Sequence, residues 1–476
     1  MTNQDPAPEV LYSKREPVFP RRVKGRFRSM KWVLMALMLG VYYITPWLRW
    51  DRGPHLPDQA VLLDMANRRF YFFMVEIWSH EFYFVAGLLI MAGLGLFLFT
   101  SAAGRVWCGY ACPQTVWTDL YILVERWVEG DRNARLRLHR QKWDAEKIRK
   151  NLTKWAIWLL IGLATGGAWV FYFTDAPTLL RDLFTGNAHP IAYLTIAVLT
   201  ATTFLFGGFF REQICIYACP WPRIQAAMMD EDTLTIGYRD WRGEPRGKLK
   251  AGKVDAAQGD CIDCMACVNV CPMGIDIRNG QQMACITCGL CIDACDEVMD
   301  KIGKPRGLIS YLALTDEVAE KAGKAPKSVW KHVFRVRTIM YTTLWSAVGV
   351  GLVVALFIRS DIDISVTPVR NPTYVTLSDG TIRNTYDLRI RNKTGDDAFF
   401  SVSLTSEEDL TLSLEGTEDA VVRVPANEML SQRVYIQAAP GSHAAREERS
   451  ELRLWVADTA GKDRVFHDTI FNGKED

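Results

Sequence analysis

The chain has 476 residues and a formal net charge of +2, so it lacks the basic surplus with which nucleic-acid-binding proteins hold phosphates. Its mean hydropathy is close to zero, but that average hides a division into uninterrupted apolar runs and strongly charged stretches. The length allows roughly three domains at about 150 residues each. The twelve cysteines fall in four tight clusters, which points to metal or redox chemistry rather than a disulfide framework.

In chain order, a polar, basic segment (1–31) precedes the first of five apolar runs: 32–50, 82–100, 155–173, 191–210 and 339–358. Each approaches the ~20 residues a membrane helix needs. The first has no small-residue cleavage signature after it and reads as a retained anchor rather than a signal peptide. Lys14, Arg15, Arg21, Arg22, Lys24, Arg26, Arg28 and Lys31 before the first run, and Arg126, Arg132, Arg135, Arg137, Arg140, Lys142, Arg149 and Lys150 after the second, place both loops in the cytoplasm. The acidic loops 51–81 and 174–190 then face outward. Lys324, Lys327, Lys331, Arg335 and Arg337 precede the fifth run, so 211–338 is cytoplasmic and 360–476 external. Trp47, Trp50, Trp78, Trp155 and Trp169 fit an interfacial aromatic belt.

At the inner ends of the second and fourth runs stand Cys108-Gly-Tyr-Ala-Cys112-Pro113 and Cys215-Ile-Tyr-Ala-Cys219-Pro220, preceded by Arg105 and Arg211. The shared pattern C-x-Y-A-C-P marks an internal repeat of hairpin plus motif. The prolines open the following helices, whose N-termini stabilise the thiolates. Packed side by side, the hairpins present up to four thiolates at the membrane surface. A soft metal such as Cu(I) suits such ligands; a thiol pair cycling with a disulfide, another bound redox centre, and inert buried thiols are the other readings.

Residues 261–272 and 285–296 read CIDCMACVNVCP and CITCGLCIDACD, each C-x2-C-x2-C-x3-C. This is the bacterial ferredoxin run, in which three thiolates wrap one 4Fe-4S cube and the fourth reaches across to the other. Cys261, Cys264, Cys267 and Cys295 then hold one cube, and Cys285, Cys288, Cys291 and Cys271 the second. Structural zinc favours isolated C-x2-C pairs instead. Asp296 stands where the first run has Pro272, a turn position that is not a ligand. Two cubes set an expectation of about eight irons per chain.

No histidine lies within the five runs, which argues against a membrane b-type haem. His80 and His189 flank the second and fourth runs on the outer side and read as a quinone or metal site, or as polar anchors. Met35, Met38, Met228 and Met229 read as packing residues rather than copper ligands. No phosphate-cradling glycine loop supports direct nicotinamide use. The tail alternates polar and apolar residues over 362–369, 374–377, 386–390, 399–404, 410–414, 420–424, 434–436 and 452–456, with turns at Asp379-Gly380, Thr394-Gly395 and Pro440-Gly441. These bursts predict about seven antiparallel strands in an immunoglobulin-like sandwich, a spacer or docking surface.

The order of these parts, with the basic N-terminal stretch from Lys14, resembles the CcoG family, also called FixG or RdxA. The resemblance implies a multi-pass protein of the bacterial inner membrane: five transmembrane helices, a cytoplasmic dicluster ferredoxin insert (α+β) and a periplasmic all-β immunoglobulin-like domain. It further implies an accessory role for the cbb-type cytochrome c oxidase, reducing Cu(II) to Cu(I) for its copper centre, with oxidase subunits or copper chaperones as partners. Cys108, Cys112, Cys215 and Cys219 would bind the copper or relay the last electron to it. A quinol dehydrogenase-type electron-transfer subunit and a non-redox assembly scaffold are the competing readings.

Overall fold

The computed structural model describes residues 17–53, 56–78, 81–248, 258–360, 362–394, 396–417, 419–426, 428–461 and 463–474. His80 and Gly395 lie outside the described residues. The chain divides into two compact units, one ending at Val350 and the other beginning at Gly351, with the short segment Arg49–Asp58 belonging to the second.

Among the described residues, three helices are long and apolar enough to cross a membrane: Phe82–Ala103, Pro190–Phe210 and Val336–Ile358. A helix satisfies its own backbone groups, which a lipid environment demands. Their large apolar side chains, among them Leu89, Leu194 and Val350, stay exposed on the protein surface. The runs 32–50 and 155–173 lie on the helices Arg26–Ile44 and Ala145–Val170. Both helices start earlier than the apolar runs, the first opening on Arg26 and Arg28 and the second on Glu146 and Lys147. The first also stops short of Trp50, because Pro46 opens a separate 3-10 turn, Thr45–Trp47. Helix Ala145–Val170 packs on helix Pro190–Thr203 through small residues: a Cβ at Gly166 would stand 2.8 Å from the Ile196 carbonyl oxygen. Such close backbone approach is the usual way helices associate in lipid.

Loop 51–81 folds, in its described part, into a three-stranded antiparallel sheet: β1 (Val61–Asp64), β2 (Arg69–Phe72) and β3 (Val75–Trp78). Further along the chain, β4 (Thr235–Tyr238) and β5 (Ile309–Leu312) pair antiparallel and bracket the two cysteine runs. Helix Ala266–Val270 carries Cys267, and helix Leu290–Lys301 carries Cys291 and Cys295.

Helix Arg26–Ile44 is tied to this cysteine-bearing fold. Asp293, inside the second cysteine run, accepts hydrogen bonds from the backbone N–H groups of Phe27 (3.2 Å) and Arg28 (2.8 Å). It therefore caps a helix start whose own preceding residue, Gly25, has no side chain to do so. A Cβ at Gly25 would come 2.3 Å from the Asp293 carboxyl carbon. Replacing Asp293 by Ala is expected to cost about 1–2 kcal/mol at this cap. It should speed hydrogen exchange at the Phe27 and Arg28 amides with the iron–sulfur absorbance kept. Unchanged exchange would show that the cap holds nothing.

The second unit holds nine strands among the described residues. One sheet orders β10 (Leu410–Leu414), β12 (Met429–Ala438), β8 (Ile382–Asn392) and β6 (Ile362–Pro368), with β7 (Val375–Thr376) paired on β8. The other orders β11 (Val421–Val424), β9 (Ala398–Ser406), β13 (Ser450–Asp458) and β14 (Arg464–Phe471). Alternate residues face inward: Tyr386, Leu388 and Ile390 from β8 meet Phe400, Val402, Leu454 and Val456 from the facing sheet. The strand missing from the expectation is β14. Its outward positions mix Arg464 and Asp468 with Phe466 and Ile470, which blurs the polar–apolar alternation, and its pairing with β13 decides it.

Candidate metal and electron-transfer centre

The two cysteine runs curl in the same way. Asp263 and Met265 in the first run, and Thr287 and Gly289 at the matching positions of the second, have left-handed φ angles of 51°, 57°, 49° and 75°. Such a turn points backbone N–H groups inward at sulfur, as in the anion-binding concavities of other loops. Thr287 N donates to Cys285 Sγ at 3.4 Å. The spacing of the cysteines shows nothing of these angles, although the repeated C-x2-C-x2-C offers the place to look.

Two cavities result, each taking in about 350 Å³ of space not filled by atoms, mouth included. One is lined by Cys261, Cys264, Cys267 and Cys295 with Tyr238, Leu308 and Ile309. The other is lined by Cys271, Cys285, Cys288 and Cys291 with Ile236, Met273 and Ile286. The last cysteine of each run thus lines the cavity of the other run. Cys267 borders both cavities, so they share a wall. Cys291 and Cys295, one helical turn apart, serve neighbouring cavities along one helix face.

The donor chemistry fits an iron–sulfur group. Desolvation, reinforced by Cys288 and Cys285, pushes the Cys271 thiol up to about 12. Desolvation and the thiols of Cys267, Cys264 and Cys261 do the same for Cys295. Buried thiols such as Cys271 and Cys295 are costly to ionise alone and release their protons to a bound cation.

The C-x-Y-A-C-P hairpins repeat at matching positions. Four residues before the first cysteine of each, the chain reverses through a left-handed residue: Gly104 (φ 61°) and Arg211 (φ 42°). Arg211 is not glycine, and its side chain is held in place, donating from Nε to the Gly208 carbonyl at 2.6 Å and pairing with buried Glu125. Cys112 and Cys219 are both extended, and the helices Pro113–Val128 and Trp221–Met228 follow. In the second hairpin Pro220 is the residue just before the helix rather than its first.

All four thiols come together. Cys215 interacts electrostatically with Cys112, Cys108 and Cys219, Cys108 with Cys112 and Cys219, and Cys112 with Cys219. The helix N-terminus after Cys112 does favour its thiolate through Thr115 and Gln114, but burial outweighs this and the thiol is raised. Burial, opposed by Arg105, pushes Cys108 up to about 11. Cys108 Sγ donates to the buried Gln225 Oε1 at 3.0 Å.

This thiol group abuts one cysteine cavity. Tyr110 OH donates to the Cys288 carbonyl at 2.8 Å, and a Cβ on Gly109 would stand 2.6 Å from the Ile286 carbonyl oxygen and 3.1 Å from Cys288 Cα. Arg105 lies between the two sets, acting on Cys108, Cys215 and Cys285 and donating to the Met283 carbonyl. Cys264, at the other cavity, is exposed. The repeat alone did not distinguish its two tyrosines: Tyr110 docks, whereas Tyr217 is exposed. His189 caps helix Pro190–Thr203, its Nδ1 accepting from Ile191 N at 3.3 Å, and remains exposed. Met35 and Met228 are buried in packing.

Residues 210–313 match the 4Fe-4S dicluster domain family, 84–131 a 4Fe-4S binding domain, and 352–474 the IG-like fold at the C-terminal of FixG. Protein RdxB of Cereibacter sphaeroides is 75% identical over 100% of both chains. The chain belongs to the FixG/RdxA family. Protein RdxA of the same organism is 64% identical over 95% of this chain and 96% of its own, and nitrogen fixation protein FixG of Rhizobium meliloti 50% identical over 97% and 94%. As a member of that family, the chain is an iron–sulfur electron-transfer protein of oxidoreductase type, and its three apolar helices agree with a membrane protein.

Proposed function

We propose that this FixG/RdxA-family member is an inner-membrane cupric reductase, which delivers Cu(I) toward the copper centre of a cbb-type cytochrome c oxidase. In this reading the chain crosses the membrane five times, with the ferredoxin fold in the cytoplasm and the β-sandwich in the periplasm. Cys261, Cys264, Cys267 and Cys295 hold one 4Fe-4S cluster, and Cys285, Cys288, Cys291 and Cys271 the other. Bound clusters supply one-electron storage. The observation that carries the reading is the packing of the first hairpin, which bears Cys108 and Cys112, onto the Cys288 loop through Gly109 and Tyr110. Electrons enter near exposed Cys264 and leave at Cys108, Cys112, Cys215 and Cys219. There each Cu(II) takes up one electron and becomes Cu(I), the form soft thiolate carriers accept.

The test is the purified full-length protein, chemically reduced and mixed with Cu(II) in the presence of a chromophoric Cu(I) chelator. One Cu(I) per stored electron is expected, and in a Cys108→Ser/Cys112→Ser variant the rate should fall to that of protein-free reductant, with the ferredoxin-type clusters still present. An unchanged rate in the variant would refute the thiols' role as the exit.

A further inference from the structure

The family match over 84–131 describes a 4Fe-4S binding domain, yet that segment contains only two cysteines, Cys108 and Cys112. A cube takes four ligands. The structure supplies the missing pair from the second hairpin, where Cys215 and Cys219 complete a set in which every thiol interacts with the other three. In the dicluster fold Cys291 likewise interacts with Cys288, Cys285 and Cys271, and also with Cys267, which borders both cavities, while Cys271 interacts with Cys288 and Cys285, and Cys285 with Cys288.

We infer that Cys108, Cys112, Cys215 and Cys219 together hold a third 4Fe-4S cluster at the membrane boundary, next to the cavity of Cys271, Cys285, Cys288 and Cys291. All twelve cysteines of the chain are then cluster ligands. A lone Cu(I) would leave most of the charge of four desolvated thiolates uncompensated, whereas the more highly charged core of a cube offsets more of it, with Arg105 facing the set. A disulfide pairing would use the thiols two by two and would not require all four to meet. Cys108 and Cys215 pack in one cluster with Cys271 and Cys291, and each hairpin turns through a left-handed residue four positions before its first cysteine, Gly104 or Arg211. The inference concerns the resident centre and stands whether or not copper is the electron acceptor.

Metal and acid-labile sulfide analysis of the anaerobically purified full-length protein tests it. About twelve irons and about twelve sulfides per chain are expected, four of each per cube. A Cys108→Ser/Cys215→Ser variant should retain about eight irons and lose one component of the reduced EPR spectrum with the other signals intact. A wild-type content of about eight irons overturns the inference, whether accompanied by zinc, by copper or by free thiols. So does a variant whose iron content equals the wild type's. The wild-type count decides the matter even if the variant fails to fold.

Discussion

Replacing Asp119 by Ala is expected to abolish accumulation of the folded protein in the membrane. Asp119 is buried on helix Pro113–Val128, directly after the first C-x-Y-A-C-P motif, and accepts from Arg28 Nη1 at 3.0 and 2.8 Å with both carboxylate oxygens. Lys31 Nζ stands 3.8 Å away, and Arg28 and Lys31 are themselves buried at 5% and 3% exposure. Burial alone would raise the carboxyl's pKa, but Lys31 and Arg28 hold it below its ordinary value, so the group is ionised at neutral pH. Its removal strands two cations in a desolvated site, a change that typically costs about 3–5 kcal/mol out of a total stability of about 5–15 kcal/mol. The check is the amount of detergent-extractable, iron-loaded protein. Adding Arg28→Met to the alanine variant should recover part of the yield, because it removes one stranded charge. Wild-type levels of D119A protein would mean that this pair does not hold the helices together.

The second large effect is expected at Gly109. Its absent side chain lets the first hairpin lie against the backbone of the Cys288 loop, and the atoms a Cβ would meet, Ile286 O, Cys288 Cα and Cys288 N, are all main chain. A Val there cannot be accommodated by turning a neighbouring side chain, and overpacking of this kind costs about 1–3 kcal/mol. The chain's remaining escape is to separate hairpin and loop, which also breaks the Tyr110 hydrogen bond to the Cys288 carbonyl. G109V is therefore expected to retain its ferredoxin-type clusters while Cu(II)-dependent oxidation of those clusters slows by about tenfold or more, a barrier increase of about 1.4 kcal/mol. Tyr110→Phe should give a smaller change in the same direction. Equal rates in wild type and G109V would show that electrons leave elsewhere.

What could be read from the amino-acid chain follows the range of the interactions involved. The ferredoxin runs were legible because the ligands of a cube lie a few residues apart, and the crossed assignment of Cys271 and Cys295 follows the same motif into the cavities that they line. The paired hairpins were legible as a repeat, and the structure adds that all four thiols meet. Most strands of the β-sandwich announced themselves by alternation, as in Ile382–Asn392, where Tyr386, Leu388 and Ile390 face inward. Interactions between distant parts of the chain left no such mark. Asp293 reads as one more polar residue in a cysteine motif, and its capping of Phe27 and Arg28 spans 266 and 265 positions. Arg211 reads as a membrane-edge cation, yet it occupies a left-handed position held by Glu125. The sheet β1–β3 was taken for a plain acidic loop because its strands are four residues each and mix Asp, Glu and Arg with aromatics.

Passage of electrons from the dicluster fold into the four hairpin thiols is open to a rapid-mixing measurement. Fully reduced wild-type protein and the Cys108→Ser/Cys112→Ser/Cys215→Ser/Cys219→Ser variant are each mixed with Cu(II), and the return of the ferredoxin-type clusters to their oxidised absorbance is followed. Fast reoxidation is expected in the wild type, with clusters that stay reduced in the variant. Reoxidation at the same rate in both would contradict it.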